Sequence, residues 1–192
     1  HIQRLATSAG YFGFPYDEVR VRDRIGEALE GRHHERLRVR LLLDDEGGVS
    51  VTVSPQLASP PDAVMRYVVS DTRVSSGDLF LYHKTTRRDL YDREWKHYAD
   101  TLGSDEVIYL NERGELAEGS RTTIFVETDG VLATPALSAG LLPGTLRAEL
   151  IAQGKAREMR LTLDDLSRAD AVYLGNSVRG LVKAEPLIPA PV

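Results

Sequence analysis

Residues 36–53, RLRVRLLLDDEGGVSVTV, constrain the fold most tightly. Leu37, Val39, Leu41 and Leu43 alternate with other residues, a turn follows over Asp45 to Gly48, and Val49, Val51 and Val53 alternate again. Two runs of period two joined by a tight turn predict an antiparallel β-hairpin with one wet face. Sheet is therefore part of the fold, and helix precedes it. Ile2, Leu5, Ala6 and Ala9 recur at helical spacing, Gly10 and Gly13 punctuate, and Pro15 opens PYDEVRVRDRIGEALEG as a second helix ended by Gly31. His1 enters this pattern without an initiator Met or a cap, so a preceding segment is expected.

SPQLASPPDA, residues 54–63, is the Pro-rich break of the chain and reads as an interdomain linker, with a loop inside one domain as the alternative. The expected division is a small N-terminal domain over 1–54, a linker over 55–62 and a larger domain over 63–192. Within the latter, AVMRYVVS reads as a strand and TTRRDLYDREWKHYADTLG as a helix. DEVIYLN, TTIFVET and VLATP are short strands separated by hairpin-type turns at Asn111 to Gly114 and at Asp129-Gly130. PGTLRAELIAQG is a helix with Pro143 near its first turn and Gly154 at its end. Thr162 and Asp165 have the spacing of a capping box, and AVYLGNSVRGLVKAEPL is a strand, a turn and a last strand. The fold class is α+β, β-rich in its second part.

A chain of 192 residues, 42% hydrophobic and 28% charged with net charge −5, suits a globular protein with a substantial core and no general affinity for nucleic acid. The absence of cysteine excludes disulfides and thiolate chemistry and makes a reducing cytoplasm the default. No run is long enough to span a bilayer as a helix, and no membrane partner is expected.

The chain has four lysines, at 84, 96, 155 and 183. Lys84 alone stands at a predicted strand-to-helix junction, in FLYHKTTRRDLYD, beside arginines that favour a neutral amine. A neutral amine adds to carbonyls; a surface lysine at a helix start is the alternative. Glu118, before Gly119 and Ser120 at the entrance to an apolar strand, could face a protonated ring nitrogen or simply belong to a turn. Gly144, Thr145 and Leu146 begin a helix, where backbone N–H groups favour an anion such as phosphate, although most helix starts bind nothing. Gly175, Asn176 and Ser177 leave a strand with amide and hydroxyl donors, and Arg179 lies beside them; a plain loop is again the alternative. An amine, an acidic ring partner, a phosphate cradle and a hydroxyl are together the parts of a pyridoxal phosphate site. His33-His34-Glu35 lacks metal-ligand spacing and reads as exposed, and DDEGG at 44–48 is too short for a calcium loop.

Along nearly its whole length the chain resembles the fold type IV pyridoxal-phosphate enzymes, which comprise branched-chain and D-amino acid aminotransferases and aminodeoxychorismate lyase. That resemblance implies a small N-terminal α/β domain followed by a β-rich pseudobarrel that binds the cofactor. HIQRLATSA looks like the helix carrying a phosphate-binding arginine, here Arg4. HKTTRRDLYD matches the segment of the Schiff-base lysine, Lys84, and EGSRTTIF the segment whose glutamate, Glu118, pairs with the pyridine nitrogen. LLPGTLR corresponds to the phosphate-cradling helix start at Thr145 and Leu146, and GNS to the last phosphate contact, at Asn176 and Ser177.

HIQRL, KTTRR and NSVRG are similar to the aminodeoxychorismate lyases, including those fused behind a synthase component, whereas the aminotransferases more often carry Gly-Thr in place of Asn176-Ser177. The resemblance thus implies conversion of 4-amino-4-deoxychorismate to 4-aminobenzoate and pyruvate in folate synthesis; Arg179 is a candidate for a substrate carboxylate, because a guanidinium suits bidentate carboxylate binding. A branched-chain or D-amino acid aminotransferase is the alternative. It also implies a small-molecule substrate, a homodimer and a synthase partner. Thr123 replaces the usual asparagine after Glu-Gly-Ser, and no tyrosine occupies the usual spacing after the lysine, leaving Tyr91 and Arg88 as substitutes near the cofactor's phenolic oxygen. The family's first strands have no counterpart, another reason to expect a preceding segment.

Overall fold

The computed structural model describes residues 1–33, 36–60 and 62–187 and divides into two compact units, His1–Ala58 and Ser59–Val192. The first unit contains helices α1 (Ile2–Phe12) and α2 (Glu18–Leu29) and strands β1 (Leu37–Leu43) and β2 (Val49–Pro55). Helix α2 starts later than Pro15, because Asp17 caps it: its carboxylate accepts from Val19 N at 2.9 Å and Arg20 N at 3.2 Å. β1 and β2 pair antiparallel from Leu37↔Pro55 to Leu43↔Val49. DDEGG forms their turn, with Asp44 Oδ1 accepting from the amides of Glu46 at 3.1 Å and Gly48 at 2.5 Å. His34 and Glu35 of the His-His-Glu segment lie outside the described residues.

The second unit is built on one eight-stranded sheet. In chain order it contains β3 (Val64–Val74), α3 (Asp89–Leu102), β4 (Glu106–Asn111), β5 (Leu116–Gly119), β6 (Thr123–Thr128), β7 (Val131–Pro135), α4 (Thr145–Ala152), β8 (Arg157–Met159), α5 (Leu163–Ser167), β9 (Ala171–Asn176) and β10 (Gly180–Pro186). The strand order is β5-β4-β3-β10-β9-β6-β7-β8. Its two ends meet: Leu116 N, on β5, donates to Leu161 O at 2.7 Å, and Glu115 bridges Thr162 just beyond β8. The sheet is curled almost onto itself, which covers edges that would otherwise expose unpaired backbone groups.

Inside the curl lie Met65, Tyr67, Ile108, Leu110, Ile124 and Leu174, with Leu166 of α5 packed among them. A second core lies on the other side of β4, where Val107 and Tyr109 pack with Leu90, Tyr91 and Trp95 of α3. All six residues of β4 are buried, as expected of a strand covered on both faces. Burying one of the large apolar side chains of this core, such as Ile108, Leu110, Ile124 or Leu174, contributes roughly 1.5–3 kcal/mol.

The residues before Lys84 form a 3-10 turn (Leu79–Tyr82), not a strand, because Asp78 caps it by accepting from Phe80 N at 2.9 Å. Lys84 therefore joins a turn to α3. β5 and β8 went unread: Leu116-Ala-Glu-Gly119 and Arg157-Glu-Met159 have little strand propensity and are extended because β4 and β7 pair with them. The capping box of α5 forms as expected, Thr162 and Asp165 bonding reciprocally.

Candidate active site

The segment carrying Lys84 to Tyr91 and the segment carrying Leu142 meet at Glu118. The carboxylate stands on β5, and each of its oxygens accepts a hydrogen bond: Oε1 from Tyr91 Oη at 2.8 Å, Oε2 from Leu142 N at 2.9 Å. Burial pushes the carboxyl up to about 7, opposed by the Leu142 amide, the Tyr91 hydroxyl and the positive charges of Lys84 and Arg88. Lys84 is exposed, immediately before α3, and near enough for its charge to act on Glu118.

The segment that carries Lys84 is held against the turn that follows Glu118. Arg88 Nη2 donates to Ser120 O at 2.6 Å. Trp95 Nε1 donates to Asp105 O at 3.0 Å, and the Arg121 guanidinium lies 3.6 Å from the centre of the Trp95 ring. The turn itself is organised by Glu106, which is 1% exposed. Its carboxylate accepts from Ser120 Oγ, from Thr122 Oγ1 at 2.8 Å, and from the amides of Arg121 at 3.2 Å and Val107 at 3.0 Å.

Leu142, which holds Glu118, leads two residues later into Gly144 and the start of α4. A Cβ on Gly144 would stand 2.9 Å from Thr123 Oγ1, so α4 begins closely against the start of β6. Thr123 pairs with Gly175 in the sheet, and a Cβ on Gly175 would stand 2.9 Å from Leu146 Cδ2 and 2.7 Å from Gly180 O. Glycine at these two places lets the helix start, β6 and the end of β9 approach one another. Leu146 is thereby brought against Gly175, the residue before Asn176 and Ser177. Asn176 is spent within the chain: Nδ2 donates to Arg121 O at 3.1 Å, and Oδ1 accepts from Val178 N and Arg179 N, both at 3.0 Å. Ser177 and Arg179 are exposed in the resulting turn, with Arg179 Nη1 3.9 Å from Met65 Sδ.

Of the sequence-derived candidates, Lys84, Glu118, Thr145, Leu146, Asn176, Ser177 and Arg179 all belong to the second unit, whereas Arg4 lies on the first turn of α1 in the first. Tyr91, considered for the cofactor's phenolic oxygen, has its hydroxyl on Glu118 instead. Sequence reasoning missed the Leu142 amide, which no side chain announces, and Glu106, whose only signal is a charge opening an apolar strand.

These residues suit pyridoxal phosphate. The Lys84 amine can hold the aldehyde, and Glu118 has spent two of its roughly four acceptor positions, leaving room for a ring N–H. Gly144 caps α4 without a side chain, so the helix start offers its amides and positive dipole end to phosphate. Among the described residues, no cluster of three or more His, Asp or Glu could hold a metal ion, and no helix is long and apolar enough to cross a membrane.

The chain is similar to proteins of both reaction types. A Schizosaccharomyces pombe protein provisionally named aminodeoxychorismate lyase is 26% identical over 98% of this chain and 83% of its own. The crystal structure of a Mesorhizobium loti protein, provisionally an amino-acid aminotransferase, superposes with a TM-score of 0.90 at 41% identity, covering 97% of this chain and 89% of that one. A fold IV transaminase from Curtobacterium pusillum superposes with a TM-score of 0.81 at 26% identity, over 100% of this chain and 73% of that one. The family model for amino-transferase class IV matches residues 1–185. The chain belongs to this family of pyridoxal-phosphate-dependent enzymes, which act on small molecules.

Proposed function

We propose that the protein is a 4-amino-4-deoxychorismate lyase, converting its substrate to 4-aminobenzoate and pyruvate. The observation that carries the reading is the Asn176-Ser177-Val178-Arg179 turn, which follows Gly175, itself close against Leu146 of α4, and carries an exposed Arg179. The substrate carries two carboxylates, and a guanidinium suits bidentate binding of either. Likeness to the S. pombe relative supports the same reading.

Pyridoxal phosphate, when bound, would supply an aldehyde group and an electron-withdrawing ring. The Lys84 amine would take the proton from the amine-bearing carbon of the substrate. As the C–O bond to the enolpyruvyl group breaks, Lys84 would return a proton, giving pyruvate, while the remaining ring becomes aromatic. Glu118 keeps the ring nitrogen protonated: a cation there favours the carboxylate that burial otherwise disfavours. Thr145 and Leu146 would offer amides, and Ser177 a hydroxyl, to the phosphate; Asn176 fixes the turn that carries Ser177. The phosphate role of Arg4 rests on the resemblance of residues 1–9 alone.

In this reading residues 63–192 are the cofactor-binding domain, residues 1–54 belong to a small N-terminal domain and 55–62 link them. The protein is a cytoplasmic homodimer in folate synthesis, fused to or working with aminodeoxychorismate synthase. The second reading, an aminotransferase with the same cofactor site, is favoured by the 41% identity to the M. loti protein. To separate them, the protein is supplied with pyridoxal phosphate and aminodeoxychorismate without a keto acid, and pyruvate is measured against a Lys84→Ala control. Lys84-dependent pyruvate supports the lyase; no pyruvate, with turnover only when a keto acid is added, identifies the aminotransferase.

A further inference from the structure

Tyr91 is the side chain whose hydrogen bond Glu118 accepts, and the reading of the site above gives it no role. It lies on the first turn of α3, seven residues after Lys84. Its ring meets Tyr109 of β4 edge-on, with centroids 5.0 Å apart and planes at 87°, and Tyr109 is fully buried. Arg88 and Trp95 anchor α3 on either side of it through Ser120 O and Asp105 O. The phenol is thus held at both its ring and its helix. Burial and the adjacent Glu118 push its pKa up, so the hydroxyl stays protonated and donates.

The groups facing Glu118 divide by element. Lys84 and Arg88, just before α3, bring positive charge; Tyr91, on α3, brings an O–H; the segment before α4 brings the Leu142 N–H; and Tyr109 of β4 stands behind Tyr91. Arg88 spends its guanidinium on Ser120 O, on Asp92 at 3.5 Å and near the Tyr91 ring, 5.4 Å from its centre. Tyr91 and Leu142 therefore grip opposite oxygens, which fixes the plane of the carboxylate, and both bonds favour its charged form.

We propose that Tyr91 is a positioning residue that orients Glu118 and holds it ionised opposite the cofactor's ring nitrogen, an inference that rests on the role given to Glu118 above. Tyr91→Phe keeps the ring packing and removes only the donor. The test is a carbon-13 NMR titration of the Glu118 carboxyl in the full chain, assigned with Glu118→Gln, together with pyridoxal phosphate affinity for wild type, each single variant and the double variant. In Tyr91→Phe the Glu118 midpoint is expected to rise by about one pH unit. Cofactor affinity is expected to fall about tenfold in wild-type background and not at all in Glu118→Gln background. An unmoved midpoint, or losses that add in the double variant, would overturn the inference while leaving the cofactor site standing. A wild-type protein that binds no pyridoxal phosphate would instead overturn the proposed function, and with it any role for Tyr91 toward a ring nitrogen.

Discussion

Asn176 Nδ2 donates to the carbonyl oxygen of Arg121 at 3.1 Å, tying the end of β9 to the turn that follows Glu118. The same side chain accepts two amides of its own turn. Asn176→Ala breaks all three bonds, at a net cost of about 1–3 kcal/mol. Urea unfolding is expected to show that loss, and cofactor affinity is expected to fall because Ser177 loses its fixed turn. Unchanged unfolding with weakened cofactor binding would instead make Asn176 a direct ligand.

Glu106 is a buried carboxylate whose four partners all belong to the Glu118 turn or its own strand. Glu106→Gln replaces one acceptor oxygen with an NH2 group that faces an amide N–H, so a buried donor loses its partner. The expected loss is about 2–3 kcal/mol in thermal or urea unfolding without cofactor. A neutral result would show that the turn is held by its other contacts.

Glu118 makes stability depend on pH. Its carboxyl moves from an ordinary 4.5 to about 7 on folding, so the folded state binds the extra proton between those values. The contribution is fully present below pH about 4.5 and is lost as pH rises through about 7, by at most about 3 kcal/mol. In cofactor-free protein, the stability of wild type relative to Glu118→Gln should therefore fall between pH 4.5 and 7.5. A flat difference over that range would mean that Glu118 titrates at its ordinary value.

The hairpin at 37–53, the apolar strand at 106–111 and the capping box at Thr162 were legible in the sequence because local pattern alone decides them. β5 was not, because Leu116-Ala-Glu-Gly119 is extended by its partner strand rather than by propensity. For the same reason, Glu-Gly-Ser read as a turn entrance, when Glu118 stands on a strand. Lys84 and Glu118 could be singled out by residue type and resemblance. Their supports, the Leu142 amide and Glu106, act through contacts between segments 24 and 14–16 residues apart, which no local pattern encodes.

Lys84 is the residue proposed to hold the cofactor. Borohydride reduction of the pyridoxal-phosphate-loaded protein, followed by peptide mass spectrometry, reads that bond directly, and the chain offers four lysines to choose among. The expected result is a stoichiometric phosphopyridoxyl group on the peptide containing Lys84, absent from Lys84→Ala. A label on Lys96, Lys155 or Lys183, or no label on a loaded protein, would contradict it.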